Sequence, residues 1–351
     1  MHNVITLKGR DAYWKKNKTL SQNKAIKSFL SHIFSMKGER NMLLLELFLL
    51  AVGFVLLVKG ADAFVEGASG IADKFGIPQL VIGLTIVAMG TSAPEAAVSI
   101  TAALKGNADI TVGNIVGSNI LNIFIILGLA SAITTIAVAK TTVKYEIPIM
   151  LAVTVLMLVC GYNDGIISLV EGIIMWVCFI GYLAYMFVMV KKGQMEADEI
   201  EVSGPIWKLL LKGVIGLGLI IWGSDITVDA ATSLATIFGM SERFIGLTIV
   251  ALGTSLPELF TSVVAAKKGK ADIAIGNIVG SNIFNILFVV GTSALILPVV
   301  FASNFIIDTI IAIAAGLVLW ACVFKNRKLN RAGGVFMLLC YVGYFVYLLL
   351  Q

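Results

Sequence analysis

Apolar runs of about twenty residues recur along the chain from Met42 to its end, and short polar stretches separate them. A run of this length crosses the hydrocarbon core of a bilayer as an α-helix. Ten spans are predicted, at approximately residues 43–60, 79–104, 110–136, 146–161, 167–190, 206–235, 243–266, 274–299, 305–324 and 333–350. The pattern therefore predicts an all-α integral membrane protein with about ten transmembrane helices.

Two stretches repeat one polar and Gly/Pro-marked pattern inside these apolar segments. Residues 82–123 and 245–286 align without a gap, and 30 of the 42 aligned positions are identical. Identity at this level indicates an internal duplication. Because five spans, an odd number, separate the two stretches, the halves must cross the membrane in opposite directions. Two inverted five-helix repeats are typical of secondary transporters, which bind substrate near the midplane where the repeats meet.

Composition agrees with a membrane protein. Of the 351 residues, 58% are hydrophobic and 13% are charged, whereas soluble domains average about 45–50% apolar and about 25% charged residues. The four cysteines stand singly, and both histidines, His2 and His32, precede the first span. The sequence therefore indicates neither a disulfide framework, nor a zinc site, nor a histidine proton relay inside the membrane.

Polar segments divide the chain into four parts. Residues 1–41 form a basic extension that carries the net positive charge, 42–190 the first five-helix repeat, 191–205 a charged cytoplasmic linker, and 206–351 the second repeat. The extension is interpreted as dispensable or as the product of an upstream start site, and alternatively as a basic arm lying on anionic lipid. The linker is interpreted as a solvated connection, and alternatively as an acidic ion-sensing loop.

Lysine and arginine are distributed unequally between the predicted loops. Loops after odd-numbered spans hold fourteen of them, whereas loops after even-numbered spans hold only Lys105 and Arg243. Cytoplasmic loops carry the excess of positive charge in membrane proteins. We therefore expect a multi-pass protein of the cell membrane with both ends of the 42–351 core outside.

Glu95 and Glu258 are acids placed deep in predicted spans. Each costs about 2.5–3.5 kcal/mol on insertion scales, so an acid at this depth is a candidate functional residue. Because the inverted repeat relates them, the two can converge at the centre and form a site of charge −2. Such a site favours one divalent or two monovalent cations. Two protonated acids that only lock helices together are the structural alternative.

Hydroxyls and prolines surround both glutamates. Pro94 and Pro257 lack an amide hydrogen, so we expect them to break the helix near Gly90 and Gly253 and release backbone carbonyls; a purely architectural kink is the alternative. Hydroxyls stand three and four residues before each glutamate, on the same helical face. These hydroxyls belong to Thr91, Ser92, Thr254 and Ser255.

The helix that follows each glutamate carries a stripe of neutral oxygen ligands at i, i+4 and i+8. The stripe consists of Asn114, Ser118 and Asn122 in the first repeat and Asn277, Ser281 and Asn285 in the second. Asn119 and Asn282 point about 100° away from it, and we expect them to bond backbone between helices rather than ligate an ion. G-x-x-x-G steps, at Gly113 and Gly117 and at Gly276 and Gly280, predict close helix approach.

Acids also recur in the first and sixth spans, where Asp62 matches Asp225 and Glu66 matches Asp229. They lie toward the ends of their apolar runs. Interface anchoring or helix capping is the favoured interpretation, and a role in ion access is the alternative.

The site chemistry points to hard cations. Calcium takes about 6–8 oxygen ligands in flexible geometry, whereas magnesium demands a tighter octahedron. Two glutamates with released carbonyls suit calcium, and the remaining Ser and Asn oxygens suit sodium. Alternate occupation of one charged site by calcium and sodium constitutes exchange.

The paired G-T-S-x-P-E and G-N-I-V-G-S-N-I-x-N stretches resemble those of the calcium/cation antiporter superfamily, specifically its sodium/calcium exchanger branch, prokaryotic type. The resemblance covers the core from Met42 to Gln351. It implies a ten-helix inverted repeat with four central cation positions, and alternating access in which the first and sixth helices slide over a fixed bundle. The implied ligands are Glu95, Thr91, Ser92, Ser118, Asn122 and the Ala88 carbonyl, with Glu258, Thr254, Ser255, Ser281, Asn285 and the Ala251 carbonyl.

One position departs from part of that family. Some members have Asp at the end of the second motif, where this chain has Asn285, matching Asn122 in the first. The departure argues against potassium co-transport and for a site with only two charged ligands. Proton-coupled calcium exchangers of the superfamily have different motifs around their acids, which favours sodium as the coupling ion.

The predicted function is therefore sodium/calcium antiport by a protein that is not an enzyme, uses no cofactor, binds no nucleic acid and works as a monomer in lipid. Calcium/proton antiport through the same two glutamates is the alternative. A passive cation channel is a third possibility. An intramembrane protease lacks the sequence features it needs, because the core has no histidine for a serine dyad and shows no aspartyl protease motif.

Overall fold

The computed structural model describes residues 42–106, 109–191, 205–239 and 251–350, and helices form most of them. The first-repeat helices are α1 (Met42–Phe75), α2 (Gln79–Thr91), α3 (Ala93–Leu104), α4 (Thr111–Ile133), α5 (Thr142–Asp164) and α6 (Leu169–Lys191). Those of the second are α7 (Ile206–Ile237), α8 (Ala251–Thr254), α9 (Leu256–Lys267), α10 (Ala271–Ile296), α11 (Ser303–Phe324) and α12 (Arg331–Leu350).

The prediction of an all-α membrane protein is confirmed. Among the described residues, eight helices are long and apolar enough to cross a membrane, or nine if the bent pair α2 and α3 counts as one span. The remaining span, predicted at 243–266, begins among residues 240–250, outside the described ranges, and α8 with α9 is its described part. The extension 1–41 and most of the linker 191–205 also lie outside the described residues, so the domain boundaries stay predictions.

Each repeat contains a helix that breaks beside its glutamate. The axis bends by 50° between α2 and α3, and the break falls at Ser92, whose ψ of 8° is not helical. Ser255 has the same conformation between α8 and α9, with ψ of 5°. The breaks lie two residues after the expected positions at Gly90 and Gly253. The prolines occupy the first turn of the second half-helix, where a missing amide hydrogen costs no bond.

Two pairs of two-residue strands show the inversion directly. β1 (Ile136–Ala137) pairs antiparallel with β4 (Lys328–Leu329), and β2 (Ile166–Ile167) pairs with β3 (Val299–Val300). Because α5 connects β1 to β2, the two pairs lie at opposite ends of that helix. β1 and β3 occupy equivalent positions of the two repeats, 163 residues apart. Equivalent strands at opposite ends mean that the repeats run in opposite directions.

The centre of the bundle consists of α4 and α10. In their most apolar windows 78% of α4 and 94% of α10 is buried, against 11% of α1 and 17% of α12. α10 approaches α2 closely through the predicted glycine step, since a Cβ on Gly280 would lie 2.5 Å from the Leu84 carbonyl oxygen. The step is therefore confirmed for this helix pair, and it brings two signature stretches together.

Glycines also join α1 to α7. A Cβ on Gly60 would lie 2.9 Å from the Gly216 carbonyl oxygen, and a Cβ on Gly216 would lie 2.8 Å from the Gly60 carbonyl oxygen. The next pair along these helices, Gly53 and Gly223, is equally close, at 3.0 Å in both directions. The two helices, one from each repeat, are thus in backbone contact over two turns.

Replacement of Gly280 by Ala should destabilise the fold, because the new methyl group forces α2 and α10 apart. Overpacking of this kind costs about 1–3 kcal/mol, measurable as a lower melting temperature of the purified protein in detergent. Gly181→Ala in α6 is the matched control, since none of the described atoms lies within 4 Å of its Cβ position. Equal melting temperatures for the two variants would contradict the close packing.

Candidate cation site

The two glutamates occupy equivalent, buried positions at the centre of the bundle. Glu95 is in the first turn of α3 and 1% exposed, and Glu258 is in the first turn of α9 and fully buried. The helix breaks create these first turns inside the protein. A helix N-terminus carries a partial positive charge that favours a nearby carboxylate. Each break therefore supplies an electrostatic environment in which a buried acid can carry charge.

Serine hydroxyls bind the glutamates crosswise between the repeats. Ser92 Oγ donates to Glu258 Oε1 at 2.7 Å, and Ser255 Oγ donates to Glu95 Oε1 at 3.3 Å. The sequence had placed each serine on the helical face of its own glutamate. That expectation is wrong for the hydroxyls of Ser92 and Ser255, which bind the glutamate of the other repeat. The reason is that the chain leaves the helical conformation at these two serines. The two repeats consequently share both carboxylates.

Four buried oxygens at the site have no hydrogen-bond partner among the described residues, and they form two symmetric pairs. They are Oε2 of Glu95 and Glu258 and Oδ1 of Asn122 and Asn285. A buried polar atom without a partner costs about 1–3 kcal/mol, and more when it is charged. Carboxylate and amide oxygens are the ligands that calcium prefers. The chemistry of these oxygens therefore suits a cation as their partner.

The asparagines outside the ligand stripe hold α4 and α10 together. Asn119 Nδ2 donates to the Asn282 carbonyl oxygen, and Asn282 Nδ2 donates to the Asn119 carbonyl oxygen, both at 3.2 Å. The prediction that they bond backbone between helices is confirmed. Their side-chain oxygens also accept hydrogen bonds, from Asn285 Nδ2 at 3.1 Å and Asn122 Nδ2 at 3.0 Å. They thereby fix the orientation of the amides whose Oδ1 atoms are unpartnered.

The first members of the predicted stripes brace the glutamate helices instead of facing the carboxylates. Asn114 Nδ2 donates to Ser99 Oγ, and Asn277 Nδ2 donates to Ser262 Oγ, both at 2.9 Å. Sequence reasoning missed the role of Ser99 and Ser262. The sequence does contain a signal for this role, because both repeats have a serine four residues after the glutamate.

The remaining predicted ligands lie at or beside the site. Ser118 and Ser281 are buried on α4 and α10. The Ala88 carbonyl oxygen accepts the Ser92 amide at 3.0 Å and the Ser281 hydroxyl at 3.4 Å. The Thr91 hydroxyl lies 3.0 Å from Asn277 Oδ1. Ala251 begins α8 and Thr254 ends it.

A cleft of about 590 Å³ lies beside the site. Pro94 and Thr254 form its inner wall, and Asp225 and Asp229 on α7 lie along it. The position of these aspartates therefore agrees with the alternative interpretation, a role in ion access. The cleft connects the surface to one of the predicted ligand hydroxyls.

The equivalent acids of the first repeat are engaged in ion pairs. Lys268 Nζ lies 2.6 Å from Asp62 Oδ1 and 2.8 Å from Glu66 Oε1, and Lys212 pairs with Glu66 as well. Burial lowers the pKa of the Lys268 amine, but its hydrogen bonds to Asp62 and Glu66 raise the pKa above its usual value overall. This cluster, Asp62, Glu66, Lys212 and Lys268, ties α1, α7 and the end of α9 together. The contacts of Asp62 and Glu66 thus agree with the favoured interpretation, in which these acids anchor the helix at the membrane interface.

Comparison with known proteins places the chain among cation exchangers. The family model described as sodium/calcium exchanger protein matches residues 45–188 and 208–350. The putative antiporter CaxA of Alkalimonas amylolytica is 42% identical, with 86% of this chain and 98% of that protein covered. The sodium/calcium exchanger MaX1 of Methanosarcina acetivorans is 32% identical, with 88% and 99% covered. A structure of the sodium-calcium exchanger NCX_Mj, soaked without sodium and calcium, superimposes with a TM-score of 0.77 at 32% identity, covering 87% of this chain and 99% of that one.

Calcium should raise the melting temperature of the purified protein, and Glu95→Gln or Glu258→Gln should remove that increase because each removes a charged ligand. A ligand at about 100 times its dissociation constant stabilises the folded state by about 2.7 kcal/mol. Glu146→Gln is the matched control, since Glu146 is another fully buried glutamate and Tyr185 donates to its Oε1 at 2.9 Å. Equal loss of the calcium effect in the control would argue against this site.

Proposed function

Because this chain belongs to the sodium/calcium exchanger family, we propose that it exchanges sodium for calcium across the membrane, with both ions taking turns at Glu95 and Glu258. The family makes the chain a calcium/cation antiporter, which is a class of membrane transporter and not of enzyme. Sodium as the coupling ion is part of the proposal. The observation that carries it is the set of four unpartnered buried oxygens between the repeats.

The charge of the site supports exchange rather than joint transport. Two carboxylates provide a charge of −2, and Asn122 and Asn285 add none. One calcium ion or two sodium ions neutralise that charge, whereas both together exceed it. Bare buried carboxylates are costly without a counter-charge, so the site favours crossing the membrane in an ion-loaded form. Calcium on one side and sodium on the other then replace each other.

The proposed ligands combine the two glutamates with the neutral oxygens around them. The full set is Glu95, Glu258, Thr91, Thr254, Ser92, Ser255, Ser118, Asn122, Ser281, Asn285 and the carbonyls of Ala88 and Ala251. Both halves of the site come from one chain, which supports function as a monomer. Lysine and arginine asymmetry supports a position in the cell membrane with both ends of the core outside.

Alternating access is supported by the unequal surroundings of the matched acids. The cleft along Asp225 and Asp229 opens one side, and the cluster of Asp62, Glu66, Lys212 and Lys268 joins the helices on the other. Movement of α1 with α7 past the rest of the bundle exchanges these two environments. The ion pairs of Lys268 with Asp62 and Glu66 hold the present arrangement, because they join α1 to the end of α9, and their separation is a step in opening the other side.

Calcium/proton antiport is the second candidate, and the two glutamates favour it, since a carboxylate can take up a proton instead of a metal ion. The description of CaxA as a putative antiporter specifies no coupling ion, whereas MaX1 is a sodium/calcium exchanger. The similarity to MaX1 supports sodium for this chain, and so do the motifs around the two glutamates, which differ from those of proton-coupled exchangers.

An outward sodium gradient across proteoliposomes should drive uptake of radiolabelled calcium, and Glu95→Gln or Glu258→Gln should abolish it by removing half of the site's charge. Glu146→Gln again serves as the control that should transport. Uptake that requires a pH gradient and proceeds without sodium would replace sodium with protons in the proposal. Calcium flux that ignores every counter-ion would indicate a channel.

Loss of the Lys268 ion pairs should shift the protein away from the arrangement with the open cleft. An exposed pair is worth up to about 1 kcal/mol, so Lys268→Gln should lower the population with the open cleft by about two- to fivefold. The measurement is the labelling rate of Val98→Cys, in the cleft wall, by a membrane-impermeant thiol reagent in a background without the native cysteines. The adjacent, exposed Lys267 provides the control: Lys267→Gln should leave the rate unchanged. Unchanged labelling in Lys268→Gln would show that the pairs do not hold the cleft open.

A further inference from the structure

A basic pocket lies beside the β1–β4 pair, away from the cation site. It has a volume of about 440 Å³ and lies between the start of α5 and the turn that joins α11 to β4. Its polar lining consists of four cations, Lys140, Lys144, Lys325 and Arg327, and no acid contributes to it. Two of these come from each repeat.

The cations of the basic pocket have no carboxylate partner in the part of the chain that the structure describes. The ion pairs of Asp62, Glu66, Lys212 and Lys268 lie elsewhere in the bundle. Lys144 contacts an aromatic ring instead, with Nζ 5.0 Å from the Tyr145 centroid. Like charges that share a pocket repel one another, and a bound anion relieves that repulsion. The pocket is therefore complementary to an anionic group.

The backbone at Arg327 gives a second, independent observation. Arg327 has φ of 51°, and it is the single non-glycine residue with positive φ among those described. Its equivalent in the other repeat is Gly165, with φ of 76°. The matching bonds establish the equivalence, because Val138 N donates to the Arg327 carbonyl oxygen at 2.9 Å and Phe301 N to that of Gly165 at 2.8 Å. This chain therefore places an arginine in a conformation that glycine adopts without strain.

Aromatic side chains form the apolar part of the pocket. Trp320 Nε1 donates to the Val143 carbonyl oxygen at 2.8 Å, which fixes the indole, and Phe324 is 64% exposed. Tryptophan and cationic side chains collect where membrane spans meet water. A ligand for this pocket thus combines an anionic head with an apolar body.

We propose that the basic pocket binds the phosphate headgroup of an anionic membrane phospholipid. Basic pockets between transmembrane helices at the cytoplasmic side bind such headgroups, and the positive-inside pattern predicts that β1 and β4 face the cytoplasm. The equivalent positions at the opposite end are Ser303 for Lys140 and Gly165 for Arg327. The site therefore exists at one end only. A headgroup held there bridges the two repeats through the β1–β4 connection.

The test is a lipid titration of the full chain, purified in neutral detergent, that follows the melting temperature. Phosphatidylglycerol should raise it, and phosphatidylcholine and inorganic phosphate should not. Each cation near an anionic surface contributes about a fivefold gain in affinity, so Lys140→Gln with Lys325→Gln and Arg327→Gln should weaken the phosphatidylglycerol response about a hundredfold. The matched control removes three exposed lysines outside the pocket, Lys191, Lys208 and Lys267, and should keep the response.

The variant Arg327→Gly distinguishes an effect on lipid binding from an effect on the stability of the fold. Because glycine relieves the backbone strain, this variant should melt no lower than the parent in neutral detergent, yet its affinity for phosphatidylglycerol should fall about fivefold. An equal loss in the control triple variant would mean that charge acts non-specifically and would overturn the proposal. A full response to inorganic phosphate would identify a free-anion site and overturn the lipid assignment. An unchanged lipid affinity in Arg327→Gly and in the triple variant would overturn it as well.

Discussion

Two carboxylates buried together at the centre of a membrane bundle are the constraint on which the rest of this structure depends. Glu95 and Glu258 are both buried, and burial removes the water that screens the repulsion between like charges. The broken helices direct two N-termini at them, and a serine from the opposite repeat binds each one. These donors compensate part of the charge, and the unpartnered second oxygen of each carboxylate leaves the remainder for a cation.

A duplicated sequence has produced an unequal pair of environments. Asp225 and Asp229 line a cleft, whereas their counterparts Asp62 and Glu66 are paired with lysines. Inversion places the two pairs of acids near opposite ends of the bundle, so the two ends differ in this structure. The proposed alternating access needs two unequal arrangements of similar energy, and the repeats supply part of the second one, since Lys105 is the counterpart of Lys268.

Much of the fold and part of the site could be predicted from the sequence. Hydrophobic length gave the spans, and the polar positions of the repeat gave the glutamates and the bonding role of Asn119 and Asn282. The crosswise contacts of Ser92 and Ser255 could not be predicted, because helical periodicity ceases to apply at the residue where the helix breaks. The sequence also could not predict that Asp62 is ion-paired whereas Asp225 lines a cleft, because the residues around each of them come from helices distant in the chain. The left-handed conformation of Arg327 could not be predicted either. Its equivalence to Gly165 is established by hydrogen bonds of the folded chain and not by the sequence alignment of the repeats.

The glycine contacts between α1 and α7 have a consequence for leakage. Helices in backbone contact through Gly60 and Gly216 cannot separate by small side-chain adjustments, so the proposed movement carries both as one rigid piece. That piece borders the cleft at one end and the lysine-paired acids at the other. A displacement that widens the passage at one end must narrow it at the other. In the proposed exchange, this mechanical connection of two helices denies calcium a continuous water-filled route down its gradient, whatever the speed at which each end opens.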